Sequence, residues 1–496
     1  MSDVRARRND EHVIVLGAGP SGLAASLALC RGGLQPLVLE RDDDVGGLMR
    51  SFRWRQFIVD LGRKELYTRF PEVDALWNEA LGGEYGPYPH RVGSLYRGRI
   101  LELSGKYRGI LRGIPVPWLV RGGLSMLGGW ARAAMRSPKS YEAYWHGRVG
   151  RVFAELLAQG YWEKFRGRRW VEMPVPQMDD EVPSKRSRSF EIARQALRLA
   201  QRGGVQTQAA WRHPTHGTGQ IFEALRSEID ARGGRIRFQA EVRAIRPQAD
   251  GSFEVDYLES GVVHSRASRH VISSLPIEKL TELLGAGPND VDCREARRSV
   301  ILVYLFFDEP PQFPHAWLEV NDPLTSIGRI TNYAAFGGAM VPPGHASLCI
   351  EYFCQADDPI MQIGDQALTE RTLNELASAG LVDPARLIGS SVRRLQRTNA
   401  AASWREQQTE RRLSLLRGLA RYPTLYHVNR PGSDWATLAG LLAAEAVLTK
   451  DRAVFDQRAD PTVRHVERPI KPSGSRGDHE MIGPADGHEM GDVIPN

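Results

Sequence analysis

Three glycines and one glutamate near the start of the chain have the spacing of a dinucleotide cradle. Gly17, Gly19 and Gly22 directly follow an apolar, β-branched run at 12–16. Gly17 permits the tight turn after a strand, Gly19 lets backbone approach a pyrophosphate, and Gly22 lets the next helix pack on the sheet. Pro20 and Ser21 stand between them at the helix start, where free amide groups and the positive dipole end favour phosphate. Glu40 ends a second apolar run, eighteen residues beyond Gly22. A carboxylate there suits both hydroxyls of a ribose and repels a 2′-phosphate.

The elements that must position these groups are legible too. The run 12–16 predicts a parallel strand buried on both faces, Leu23, Ala24, Leu27 and Ala28 predict a helix, and 36–39 predicts the second strand. Glycine-rich turns before helices are common, but strand, glycines, helix, strand and terminal Glu in register form a dinucleotide-binding unit. The alternative is a degenerate unit without ligand, and nothing in these residues signals such a loss. The unit alone does not separate FAD from NAD.

Residues 41–51 read Arg-Asp-Asp-Asp-Val-Gly-Gly-Leu-Met-Arg-Ser. This resembles the second signature of the flavoprotein amine oxidase superfamily, which includes protoporphyrinogen oxidases, phytoene desaturases and UDP-galactopyranose mutase-like proteins. Gly46, Gly47, Leu48, Arg50 and Ser51 match its Gly-Gly-Leu-x-Arg-Ser form, which in the family lies beside the FAD phosphates; Arg41 joins this set. Phe57 to Gly62 resembles the family's Phe-then-Asp-x-Gly strand, Trp162 to Gly167 its Tyr-x-x-Lys-x-x-Gly block, and Pro214 to Gln220 its Pro-x-Gly-Gly turn. That turn leads into a helix, 221–231, and the adenine-side strand, 236–245, where the resemblance gives the backbone of Val242 a contact to adenine. The stretch 425–448, with Asp434 and Trp435, resembles the closing helix that faces the flavin.

The resemblance implies an α/β fold, a Rossmann-type FAD-binding domain interleaved with a mixed α+β substrate domain. It implies noncovalent FAD, a small-molecule substrate that gives a hydride to flavin N5, and oxygen or another carrier as electron acceptor. The last cysteine is Cys354, so the covalent attachment some relatives make near the closing motif is not expected. One departure bears on activity: Gly62 is followed by Arg63-Lys64-Glu65-Leu66, where mutase-like proteins carry Gly-Gly-His or Gly-Pro-His. No residue declares itself the catalytic base; Lys164, His216, Arg329, Tyr333 and Arg430 are the polar candidates. Two rival readings stay open, a redox-neutral mutase-like flavoenzyme acting on a sugar nucleotide and a non-catalytic FAD-binding pathway partner. An NAD-dependent dehydrogenase would leave the Gly46-Gly47 block and the closing helix without a job.

These blocks divide the chain into a flexible start (1–11), FAD-binding segments at 12–104, 205–290 and 401–455, and a helical substrate or lid region at 105–204 that includes an Arg-rich helix at 190–201. A substrate-domain sheet and helix follow at 291–400, and a Gly-, Pro- and Asp-rich tail at 456–496 reads as disordered. Four irregularly spaced cysteines suggest reduced thiols, with Cys349 and Cys354 buried in a strand. A polar start and the lack of a long apolar run predict no secretory signal or transmembrane helix, and a cytoplasmic protein. The His-Glu-Met triplets at His479 and His488 lack metal-site spacing, so no metal is expected.

The net charge is +6, and it is uneven: Leu103 to Tyr141 holds seven basic residues, no Asp or Glu, and several Leu, Ile and Trp side chains. Such a segment can be a solvated lid, line the channel of an apolar or phosphorylated substrate, or rest peripherally on an anionic membrane. No nucleic-acid reader motif accompanies the charge, so nucleic acid is not an expected partner.

Overall fold

The computed structural model describes residues 11–64, 66–68, 70–104, 113–175, 212–285, 297–337, 339–400 and 413–459. Of the expected flexible start at 1–11 and disordered tail at 456–496, residues 1–10 and 460–496 lie outside the described residues, as do the Arg-rich helix at 190–201, part of the basic segment and Cys293; Glu11 instead begins a strand, and 456–458 end the helix Ala453–Arg458.

The first strand, Glu11–Leu16, pairs in parallel with Leu37–Leu39 on one side and with Val262–Ser273 on the other. Its alternate side chains feed two cores. Val13 and Val15 pack with the helices Pro20–Arg31, Gly219–Ala231 and Ser433–Thr449, whereas Ile14 and Leu16 pack with the antiparallel strands Ala240–Pro247 and Phe253–Glu259 and the helix Ile277–Leu283. A strand covered on both faces needs apolar residues at every position, which is what 13–16 supplies. Among the described residues the sheet has seven strands and is completed by Arg235–Arg237 at one edge and Leu425–His427 beside Val262–Ser273.

A second seven-stranded sheet runs in the order Leu387–Ala400, Arg297–Phe307, Ala346–Cys354, Arg329–Asn332, Trp317–Val320, Val92–Tyr96, Arg99–Glu102. Ile301, Val303 and Leu305 face the helix Asp365–Ser378; Val300, Leu302, Tyr304 and Phe306 face the strand Phe57–Asp60. The period-2 alternation of one long strand therefore ties the dinucleotide-binding half to the second sheet.

Two sequence boundaries move. The segment 12–104 is not one body: 92–102 leaves the first half and pairs with Trp317–Val320 in the second sheet. The pull is a buried polar knot, in which Ser94 Oγ donates to Leu156 O at 2.6 Å and accepts from Asn321 Nδ2 at 2.8 Å. The expected strand 236–245 is two strands, because Gln239 adopts a left-handed φ of 52°. That break brackets Glu40, whose N–H donates to Arg237 O at 2.9 Å and whose carbonyl accepts from Ala240 N at 2.8 Å. Cys30, Cys349 and Cys354 are buried free thiols. No helix among the described residues is long and apolar enough to cross a membrane.

The opening and closing helices touch at Gly440, where an added Cβ would stand 2.1 Å from Ser21 O. Gly440→Ala must part them, at a cost of about 1–3 kcal/mol. A thermal melt is expected to show a Tm lowered by several degrees, with Glu445→Ala on the exposed side of the same helix unchanged.

Candidate functional site

Two glycine turns face one another at the C-terminal end of the first strand. Gly17 has a φ of +92° and donates to Leu39 O at 2.9 Å, a conformation that a side chain would strain. Gly46, with φ +91°, donates to Ala18 O at 2.8 Å. A Cβ on Gly47 would come 3.5 Å from Gly19 Cα, whereas one on Gly19 would meet nothing within 4 Å. Backbone is thus brought to the rim of open space. The helix begins there at Pro20 with no side-chain cap and no acidic residue in its first turn. A Cβ on Gly22 would stand 1.9 Å from Gly17 O, so this glycine permits the turn and helix to close on each other.

Glu40 lies beside this space and is 8% exposed. Its Oε2 accepts from Ala18 N at 2.6 Å and its Oε1 from Asp42 N at 2.9 Å, and each oxygen keeps acceptor capacity for a hydroxyl. Arg50 pairs with Asp42 at 3.2 Å, while the Arg41 side chain is 77% exposed and 3.6 Å from the same carboxylate. Val242 is buried in Ala240–Pro247. Asp434 and Trp435 stand in the first turn of Ser433–Thr449. The indole N–H of Trp435 is buried and has no acceptor among the described residues. A cradle open at Gly19, an uncapped helix end, a carboxylate suited to a ribose and this orphaned donor together fit a dinucleotide with a polar ring system.

Asp60 locks the cradle to the rest of the molecule. It is fully buried; its Oδ1 accepts from Ser51 Oγ at 2.5 Å and Thr218 N at 2.9 Å, and its Oδ2 lies 3.2 Å from His213 Nε2. Its carbonyl accepts from the hydroxyls of Tyr304, at 2.7 Å, and Tyr333, at 2.8 Å. Burial pushes both phenols well above their ordinary pKa, so they remain donors.

Leu48, from the second glycine turn, lines a narrow cleft together with Leu61, Arg63, Lys64 and Phe165, and Val300, Leu302, Glu351, Phe353 and Leu395 form the sheet wall. Its charges are unusual for so buried a place. Glu351, 4% exposed, accepts from Arg63 N at 3.0 Å and lies 3.4 Å from Arg329 Nη1. Arg329 also donates to the Tyr161 hydroxyl. Lys64 is 8% exposed, and its ammonium has no hydrogen-bond or ion-pair partner among the described residues. Burial pushes its pKa down to about 8, against the opposing pull of Glu351 and Asp60.

The five polar candidates fall in different places. Arg329 reaches the cleft through Glu351. Tyr333 is not among the residues that line the cleft, and its hydroxyl is also 2.9 Å from Gly62 O. Lys164 spends its ammonium on the carbonyls of Val320, Asp322 and Ile327 at 2.9, 2.7 and 3.0 Å, clasping a loop. His216 is 3.8 Å from Glu84 at the surface. Arg430 donates to Ala459 O at 2.8 Å and Asn429 O at 2.9 Å, fastening the end of the described chain. Sequence reading met Lys64 only as a departure from a motif. The signal available was a Lys two residues beyond Gly62 of the Asp60-Leu61-Gly62 turn, which follows the apolar run Phe57-Ile58-Val59.

The family model described as flavin-containing amine oxidoreductase matches residues 20–426. Among curated proteins, the L-amino acid oxidase Cdc18 of Crotalus durissus cumanensis is 39% identical over 61 residues, 12% of either chain. The L-amino acid oxidase Lm29 of Lachesis muta is 44% identical over 50 residues, 10% of either chain. The chain thus spans only 12% of the length of the first of these relatives. A reduced UDP-galactopyranose mutase superposes with a TM-score of 0.70 at 19% identity, covering 90% of this chain and 97% of that one. A putative protoporphyrinogen oxidase from Exiguobacterium sp. 255-15 gives 0.65 at 17% identity, covering 89% and 100%. Such identities speak for the fold alone.

Lys64 makes a pH-dependent contribution whose sign is fixed by the lowered pKa. Below pH 8 the ammonium is charged in both folded and unfolded chains, and the folded state carries the full burial penalty. Between about 8 and 10.5 the folded chain sheds the proton first, and the penalty fades. Lys64→Met is therefore expected to stabilise the protein at pH 7 by on the order of 2–3 kcal/mol, with the gain shrinking across that window; denaturant melts from pH 7 to 10 measure it.

Proposed function

The chain belongs to the flavin-containing amine oxidoreductase family, and from that premise we propose that it is an FAD-dependent oxidoreductase whose small-molecule substrate, apolar or phosphorylated, is oxidised in the cleft between Leu48 and the second sheet. The cofactor is FAD. When bound, it supplies a two-electron acceptor, reoxidised by oxygen or another carrier.

The chain's own residues supply the rest. Gly17, Gly19, Pro20, Ser21 and Gly22 receive the pyrophosphate on backbone and helix end. Glu40 accepts from the ribose. Arg41, Gly46, Gly47, Leu48 and Arg50 flank the phosphates on the opposite side. Backbone of Val242 meets the adenine. Asp434 and Trp435 present the N-terminus of the closing helix, whose dipole favours a developing negative charge. The apolar wall of Val300, Leu302, Phe353 and Leu395 excludes water from the reacting bond. Lys64, whose pKa lies near 8, holds or takes a proton facing that cleft, and the buried Arg329–Glu351 pair sets the field around it. The observation that carries this reading is the opposed pair of glycine turns beside Glu40, with Leu48, the residue after the second turn, lining the cleft.

The test is the visible spectrum of the purified protein, read before and after anaerobic reduction and admission of air. Oxidised-flavin bands that bleach and return rapidly are expected. Bands that return only slowly would favour a carrier other than oxygen or a redox-neutral, mutase-like use of the same fold, and a colourless protein that stays colourless with added FAD would sink the reading. Gly19→Val separates binding from folding, since its side chain enters open space and its backbone is unstrained. It is expected to lower FAD content at least roughly tenfold with the apoprotein melt unchanged.

A further inference from the structure

The helix Val116–Met135 is apolar on two opposite sides. Its inner side is closed against the protein. A Cβ on Gly122 would stand 2.3 Å from the Phe153 ring and one on Gly129 would stand 2.2 Å from His146 O, and Trp130 Nε1 donates to Arg148 O at 2.9 Å. These small residues seat the helix tightly on its neighbours. The outer side carries Val116, Val120, Leu124, Leu127 and Met135, exposed by 70, 57, 66, 58 and 70%. Their spacing of four, four, three and eight residues places them on one stripe, within an arc of about 100° at 100° per residue. A lone exposed leucine needs no explanation; a contiguous stripe of five large apolar side chains does.

The charge around the stripe narrows what can cover it. Arg121 and Arg132, both exposed, lie along one edge of the stripe, and Arg136 and Lys139 follow the helix end. No Asp or Glu occurs from 103 to 141. Two copies of this face would bring together two basic stretches with no acidic residue to pair them, which disfavours self-association. Anionic headgroups over an acyl layer complement both features, taking the arginines at headgroup level and the valines and leucines just beneath. The helix does not qualify as a membrane span, and its inner side is committed to the protein.

We propose that Val116–Met135 docks flat on an anionic lipid surface, its stripe from Val116 to Met135 buried at the headgroup boundary and its arginines paired with lipid phosphates. This surface is independent of the flavin reading, since none of its residues lines the cleft. A protein that works beside its lipid surface has direct access to substrates dissolved in it.

The experiment is flotation of the full-length, purified protein with phosphatidylcholine vesicles, with and without phosphatidylglycerol, at low and high salt. Binding to the anionic vesicles, weakened by salt, is expected. Leu124→Asp with Leu127→Asp should lower it at least roughly tenfold, and Arg121→Gln with Arg132→Gln should remove most of the preference for phosphatidylglycerol, while flavin content and Tm stay as in the parent. Background flotation with both vesicle types would overturn the proposal, as would undiminished binding by the double-aspartate variant. A dimer in light scattering that this variant dissolves would also overturn it and assign the stripe to a second copy of the chain.

Discussion

One buried carboxylate holds the two halves of this molecule in register. Asp60 has no solvent to stabilise its charge, so every acceptor site on it must be filled by the protein. The fillers come from distant parts of the chain: Ser51 from the strand after the second glycine turn, His213 from the short strand Arg212–Pro214, Thr218 from the turn before helix Gly219–Ala231, and, on the carbonyl of the same residue, Tyr304 from the second sheet and Tyr333 from the turn that follows its strand Arg329–Asn332. The geometry of the glycine cradle and the position of the cleft's sheet wall are therefore set by the same residue. Replacing a neighbour alters one hydrogen bond, but shifting Asp60 would alter the distance between the cofactor-binding turns and the wall against which a substrate must lie.

The cleft shows a second consequence of burial. Arg329 and Glu351 pair in the second sheet and satisfy much of their charge within the wall, leaving Lys64 as a buried cation that feels Glu351 and Asp60 but makes no hydrogen bond or ion pair among the described residues. Such an arrangement costs stability and persists where a charge has work to do. Apart from Glu351 the wall is apolar, so a ligand in the cleft meets hydrophobic surface on the sheet side and the charges of Arg63, Lys64 and Glu351 within the same lining.

Local chemistry was legible in the sequence and long-range placement was not. The run 13–16, the glycines at 17, 19, 22, 46 and 47, and Glu40 act through backbone conformation and near neighbours, and the signals for strand, turn and helix reside in those residues themselves. The fate of 92–102 depended on Trp317–Val320, more than two hundred residues away, and no local propensity encodes a partner. The break at Gln239 escaped notice because glutamine carries none of the turn preference of Gly or Asn. Lys164 read as a polar group near a cleft, yet three backbone carbonyls from one loop consume its donors. Lys64 was the reverse, a residue visible only as a mismatch to a motif whose burial makes it the most exceptional charge in the site.

The order of strands in the first sheet also bears on how the chain comes to be folded. Its opening strand has parallel neighbours at 37–39 and at 262–273, with Val13 opposite His270, and the latter strand is flanked in turn by 425–427. During synthesis at roughly 5–20 residues per second, the N-terminal strand emerges about ten to fifty seconds before its long-range partner exists. For that interval the glycine turns have no finished sheet to rest on, and the apolar run 13–16 is a bare edge open to aggregation. The nascent chain therefore carries this edge until residue 273 has been made, a demand that follows from strand order alone.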